Sequence, residues 1–302
     1  MKEIIIRFSN IRKLSAALLV IIAACASGQA RASVNYMPVT EVKAGMTGYG
    51  KTVFQGLKVV KFPIKVRGIM QNAGMSGGPM ILIELTGPEV DTYGGISLGM
   101  SGSPVYIKDR LIGALAVTFP ETDHSLGGVT PYESMLKTAD YDKPAESRIL
   151  KLDEKIKIKG KTYDSIRYSS AQGDASAAPG VLTARMALAP VSVQGVSPRA
   201  FPILKRLFDS AGIDIVPAAL SPGATPAAAN SAPAKNIEPG SSVAVQLVRG
   251  DIDISAVGTV TAVDGKRVLM FGHPFFRKGA VNYLLADAYV HAIVRGADMP
   301  FK

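Results

Sequence analysis

The chain has 302 residues, 47% of them apolar, which is enough for a substantial core in more than one packed unit. Gly at 30, Pro at 19, no Trp, and Val, Ile and Thr runs broken by turn residues favour short strands over long helices, a mostly-β protein. One cysteine, Cys25, excludes intrachain disulfides, and a formal charge of +10 without interleaved basic and aromatic residues argues against a nucleic-acid groove.

At the N-terminus, Lys2, Arg7, Arg12 and Lys13 precede an apolar run from Leu14 to Ala24, and Ala30-Arg31-Ala32 offers a small-residue cleavage site. Residues 1–32 therefore read as a signal peptide, with a mature chain starting near Ser33 and export to the periplasm or cell envelope. The run is shorter than the roughly 18 to 20 apolar residues that a spanning helix needs. Ile22-Ala23-Ala24-Cys25 supplies an alternative, a lipoprotein signal in which acylation of Cys25 would attach the protein to a membrane. Cleavage after Ala32 leaves no cysteine, and so no thiolate metal site or cysteine nucleophile. The leader carries a net +4, so the rest carries +6, a basicity that favours anionic envelope surfaces.

Residues 33–150 read as one β unit, with strand-like runs over Val59 to Val66, Pro79 to Leu85, Val105 to Ile107 and Leu111 to Phe119. The last two flank Lys108-Asp109-Arg110 and form a hairpin. Gly45-Met46-Thr47-Gly48-Tyr49-Gly50-Lys51-Thr52 has the spacing of a phosphate-binding loop. Val53-Phe54-Gln55-Gly56 then leads into strand-like sequence and not a helix, so a glycine-rich turn into the β unit is the better reading.

Residues 151–216 read as a connecting β/α segment, in which Lys155, Lys157 and Lys159 alternate with Ile156 and Ile158 on a solvated strand face. A helix follows, with Ser197 as N-cap, Pro198 at its first position, apolar Phe201, Leu204, Leu207 and Phe208, and Gly212 as its stop. Residues 217–239 are an Ala/Pro-rich linker. A second β unit occupies residues 240–302, with strands over Ser242 to Leu247, Asp253 to Val263 and Arg267 to Phe271, the last two joined at Asp264-Gly265. Ending just after a strand, at Met299-Pro300-Phe301-Lys302, the chain reads as a fragment of something longer.

A nucleophilic serine needs a tight glycine-rich turn, so that its hydroxyl is presented and successive backbone N–H groups face the developing oxyanion. Gly99-Met100-Ser101-Gly102-Ser103-Pro104 has that composition, which also suits a plain loop between strands. With Ser101 as nucleophile, the N–H groups of Gly99 and Ser101 would form the oxyanion hole, and Gly102 would admit substrate.

The segment from Gly94-Gly95 through Pro104, followed by the hairpin ending Leu111-Ile112-Gly113-Ala114, resembles the active-site segment of the SpoIVB-type serine peptidases. It is similar, more distantly, to the Gly-Asp-Ser-Gly-Gly-Pro loop of chymotrypsin-like enzymes, with Met100 in place of the aspartate. The resemblance implies a chymotrypsin-like double β-barrel, a serine endopeptidase acting on a protein or peptide of the cell envelope, and no cofactor. It covers roughly Val42 to Leu136 and, less closely, Pro239 to Ala288.

Three histidines are available as the general base: His124, His273 and His291. His273 lies in Leu269-Met270-Phe271-Gly272-His273-Pro274, and the resemblance implies that it is the catalytic histidine, because the family carries its own on a glycine-histidine turn after such a hairpin. His124 reads as a solvated loop residue and His291 as buried or at a strand edge. In the family the histidine segment precedes the serine segment, whereas here it follows. The family's orienting acid falls near Thr86 and Gly87, so Asp91 and Asp287 are the nearest candidates. A backbone carbonyl is the other means of orienting His273. The histidines lack paired ligand spacing, so no metal site is expected. A catalytically inactive peptidase-like protein that binds an envelope partner is the rival reading.

Overall fold

The computed structural model describes residues 34–75, 77–120, 122, 124–137, 149–158, 160–169, 178–187, 190–210, 213–218, 237–276, 279, 281–295 and 300–302. The leader with Cys25, Gly212, Lys159 and most of the Ala/Pro-rich stretch lie outside these residues. Alternation along the strands decides the architecture. In β2 (Val59–Met70), Phe62, Ile64 and Val66 are buried, while Lys61, Pro63, Lys65 and Arg67 face outward. β1 (Thr47–Val53) pairs antiparallel with β2, from Thr47 opposite Lys65 to Val53 opposite Val59. β2 pairs in turn with β3 (Met80–Leu85), and β3 with β6 (Leu126–Pro131).

β4 (Pro104–Ile107) and β5 (Arg110–Thr118) form the expected hairpin, and Ile107 stands opposite Arg110. Its turn is Lys108-Asp109, both at positive φ (49° and 59°), the backbone of a type I′ turn whose twist suits a two-residue connection. β4 also pairs with β1, and β5 with β6, so the order β4-β1-β2-β3-β6-β5 closes on itself as a six-stranded barrel. The sheet extends from β5 through β9 (Val181–Met186) and β8 (Lys161–Ser169) to β7 (Ile149–Ile158). β3 is apolar on both faces because it separates two cores. Ile81 and Ile83 pack inside the barrel with Phe62, Ile64 and Leu115, whereas Met80 and Leu82 join Phe119, Ile166 and Leu182 outside it.

A second sheet runs β11 (Ile215–Pro217), β10 (Val191–Gln194), β13 (Asp253–Asp264), β12 (Ser242–Val248), β15 (Leu284–Asp287), with β14 (Arg267–Met270) paired to β13. β13 and β14 meet at Gly265-Lys266, one residue beyond the expected turn position. The helix Phe201–Ser210 begins three residues later than Pro198, which lies in the turn before it. Ser197 Oγ still accepts from Ala200 N at 3.3 Å, a capping bond at the predicted residue. Phe201, Leu204 and Phe208 pack on Val193, Ile215 and Ile254, but Leu207, off that stripe, is 64% exposed. The mostly-β, barrel-based class expected from composition and resemblance is the architecture found.

The glycine-rich run from Gly45 to Thr52 is the turn into β1 and then the strand itself. Gly50 faces the barrel interior opposite Phe62, and a Cβ there would fall within the Phe62 ring. Gly50→Ala is expected to destabilise the fold by about 1–3 kcal/mol through overpacking, and adding Phe62→Leu to restore part of that. Urea denaturation of the single and double variants checks this; strictly additive losses would show that Phe62 is not the obstacle.

Candidate active site

The Ser101 loop is irregular backbone buried between the two sheets, so each of its polar groups needs a partner from elsewhere in the chain. Met100 N donates to Ser97 O (3.0 Å) and Ser103 N to Met100 O (3.0 Å), which makes two successive tight turns. Gly102 N donates to Leu115 O (2.7 Å) and Leu115 N to Ser103 O (2.9 Å), tying the loop to β5. Met100, which replaces an acid in the distant resemblance, is fully buried in the barrel core, and its sulfur accepts from Ser97 N at 3.3 Å. An apolar anchor thus holds the loop where a carboxylate would need a cationic partner.

The remaining carbonyls are satisfied by β13, from the other sheet. Thr259 N donates to Ser101 O (2.8 Å), Thr259 Oγ1 to Gly99 O (3.1 Å), and Thr261 Oγ1 to Gly102 O (2.7 Å). Gly102 has φ 92°, and a Cβ on it would collide with Thr259 O and lie 2.5 Å from Phe271 N, so only glycine fits. Phe271, Gly272 and His273 follow β14. Thr130 Oγ1 donates to Gly272 O (2.6 Å), and a Cβ on Gly272 would reach Leu115 O at 3.0 Å, the carbonyl that accepts Gly102 N–H. Serine loop and histidine turn, distant in sequence, therefore share one wall.

His273 is 8% exposed. Its Nδ1 lies 3.1 Å from Pro274 O. A carbonyl only accepts, so Nδ1 carries the proton and Nε2 presents a lone pair. Burial pushes the imidazole down to about 4, against a smaller upward pull from the Pro274 carbonyl, so the ring is neutral at neutral pH. Among the described residues neither His273 Nε2 nor Ser101 Oγ has a hydrogen-bond partner, so the two are not bonded to each other. Ser101 and Ser103 are both wholly buried.

The other predicted positions fall as follows. Gly99 N–H donates to Ala187 O (2.8 Å), so that half of the expected oxyanion pair is engaged within the protein. Asp91 belongs to the short helix Pro88–Tyr93, and its side chain is outside the described residues. Asp287 ends edge strand β15, opposite Val243, with its side chain exposed, while His273 Nδ1 is taken by Pro274. His124 is half-buried and not a solvated loop residue: its carbonyl accepts Ile96 N (2.8 Å) and packs against Gly95. His291 is exposed beside Tyr289, because the segment after β15 leaves the sheet.

Lys302 and the two threonines carry roles that the sequence reading did not assign. Pro300 O accepts Leu98 N (2.8 Å) and Lys302 N donates to Leu98 O (3.1 Å), so this segment lies along the approach to the serine loop. The Lys302 amine donates to Thr52 Oγ1 (3.1 Å) and Thr259 Oγ1 (3.2 Å), and burial pushes it down to about 7. Thr259 and Thr261 were legible only as alternate strand positions; hydroxyls on a core-facing row of a strand are the signal that marks such residues. Nothing in the local sequence marks Lys302.

Residues 24–136 match the family model described as SpoIVB peptidase S55, a family of serine peptidases. The match spans β1 to β6, the closed barrel with the Ser101 loop, and stops before His273. No curated protein and no solved structure matches the chain.

Two measurements test the geometry. Because folding lowers the His273 pKa from 6.5 to about 4, the unfolded chain binds the extra proton between those values. Its contribution is complete above pH 6.5 and is lost as pH falls toward 4, by about 3 kcal/mol in all. Urea midpoints measured across this window should fall steeply in the parent and less in His273→Leu; equal slopes would place the imidazole in water. Separately, Thr259→Val leaves Gly99 O unanswered and should cost about 1–3 kcal/mol, whereas Thr259→Ser should cost well under half of that.

Proposed function

We propose that the chain is an exported serine endopeptidase of the SpoIVB type, with Ser101 as nucleophile and His273 as general base. The observation that carries this reading is the neutral imidazole held with Nε2 unpartnered on the turn that packs against the Ser101 loop. In the acylation step Ser101 Oγ bonds to the scissile carbonyl carbon and its proton passes to His273 Nε2. The imidazolium then protonates the leaving amine, and water repeats the sequence in reverse to free the acyl group. The Pro274 carbonyl, and not a carboxylate, keeps the ring in the required tautomer.

The buried position of Ser101 sets a condition on this chemistry. Substrate reaches Oγ only when the cover formed by β13 and the Phe271–His273 turn shifts. The same shift admits water to the imidazole and raises its basicity toward the working range. The Ser101 N–H, and the Gly99 N–H once released from Ala187, are the oxyanion donors of the open form. Its substrate is an envelope protein or peptide, itself or a signalling partner included. Processing at Ala32 would leave the enzyme free in the periplasm, and acylation of Cys25 would tether it.

A second reading, a peptidase-like protein that binds a partner without cleaving it, is favoured by one observation: Gly99 N–H and the nucleophile are both sequestered. Fluorophosphonate labelling separates the two. The parent should be labelled, Ser101→Ala should abolish labelling because the oxygen that bonds to phosphorus is gone, and Ser103→Ala should retain it. Labelling that persists in Ser101→Ala would move the nucleophile elsewhere, and an unlabelled parent that still captures peptide would establish the binding role.

A further inference from the structure

On the outer surface of the barrel, Tyr49 of β1 and Tyr106 of β4 stack with ring centroids 5.2 Å apart. The Lys61 amine lies over the Tyr49 ring at 3.9 Å and the Lys51 amine over Tyr106 at 5.4 Å. Lys51 and Lys61 are direct cross-strand neighbours, and Lys65 faces out four residues further along β2, past Pro63. Like charges placed directly opposite across a ladder are unfavourable. Among the described residues none of these three lysines forms an ion pair, whereas Arg67, the next outward residue, pairs with Glu84 at 2.6 Å. The carboxylates nearby are Glu84, directly opposite Lys65 across the ladder and held by Arg67, Asp109, which accepts from Tyr49 Oη (2.7 Å), and Glu238, exposed on the turn that packs Gly240 against Lys51.

We infer that the face formed by Tyr49, Lys51, Lys61, Lys65 and Tyr106 seats the barrel on an anionic lipid surface. Lysines that reach water over aromatic rings with one apolar and one polar end suit a headgroup layer, where charge attraction and shallow ring burial act together. The path of the chain favours lipid over an acidic protein. Asn35 O and Met37 N bond to Leu111, which stands opposite Tyr106, and Val34 packs in the cluster to which Tyr106 belongs. The described chain therefore joins the fold beside this face at Val34, nine residues after Cys25, whose acylation would hold the fold at a membrane. A basic aromatic face and an acyl chain on Cys25 would be two weak membrane signals that act jointly. This inference does not depend on turnover at Ser101.

The full chain is tested by co-sedimentation with phosphatidylcholine vesicles, alone or with about one-third phosphatidylglycerol. Lys51→Ser/Lys61→Ser should weaken partitioning onto the anionic vesicles by about thirtyfold, leave partitioning onto pure phosphatidylcholine unchanged, and melt no lower than the parent. Lys51→Arg/Lys61→Arg should bind as the parent does. Equal binding of parent and serine variant to anionic vesicles would overturn the inference. So would lysine-dependent capture by polyglutamate without lysine-dependent capture by vesicles, which would make the face a site for acidic protein.

Discussion

Irregular backbone taken out of water must have its carbonyl groups answered, and the Ser101 loop meets that demand with a strand from the other sheet. Thr259 and Thr261, one pleat apart on β13, supply two hydroxyls and one N–H to three carbonyls of the loop. Much else follows from this docking. It puts Gly102 against Phe271, fixes the height of the histidine turn over β5, and places the Lys302 amine one hydroxyl away from Gly99. The two sheets are held to each other by the same bonds that shape the candidate nucleophile.

Burial sets which protonation and hydrogen-bonding states the candidate site can hold. A neutral imidazole and an unpartnered hydroxyl are tolerable in a closed interior, where a charged ring is not. The electrostatics of the closed form oppose the protonated imidazole that acylation requires. An opening motion is therefore a part of the chemistry proposed for this barrel. Met100 anchors the loop from the barrel core beneath it, and an uncharged anchor keeps its grip whatever the pH.

Much of this was legible in the sequence for local reasons. Alternation in Val59 to Val66 and the short apolar run in Arg267 to Phe271 report strands directly, and the Lys108-Asp109 turn is set by its immediate neighbours. The Gly99 to Pro104 composition marked the loop, and the family model that spans residues 24–136 covers that same segment. What escaped was long-range. The capture of Gly99 N–H by Ala187, the role of Thr259 and the depth of Lys302 each depend on a residue tens to hundreds of positions away. His124 lies in a loop as expected but is less solvated than Glu121-Thr122-Asp123 suggested, because its carbonyl closes onto Gly95 and Ile96. The apolar stripe of Phe201–Ser210 was drawn one residue too wide at Leu207, since periodicity shows a face but not its edge.

The dependence of the serine loop on β13 also has a consequence in time. During synthesis the barrel strands through Pro131 emerge long before residues 259–273, so for that interval the carbonyls of Gly99, Ser101 and Gly102 lack the partners that cover them in the finished chain. Its last bonds close contacts of very large sequence separation, which form late because their chain-closure cost is met only when both sheets exist. A nascent chain therefore exposes the candidate nucleophile once, before it is complete, and folding itself ends that exposure.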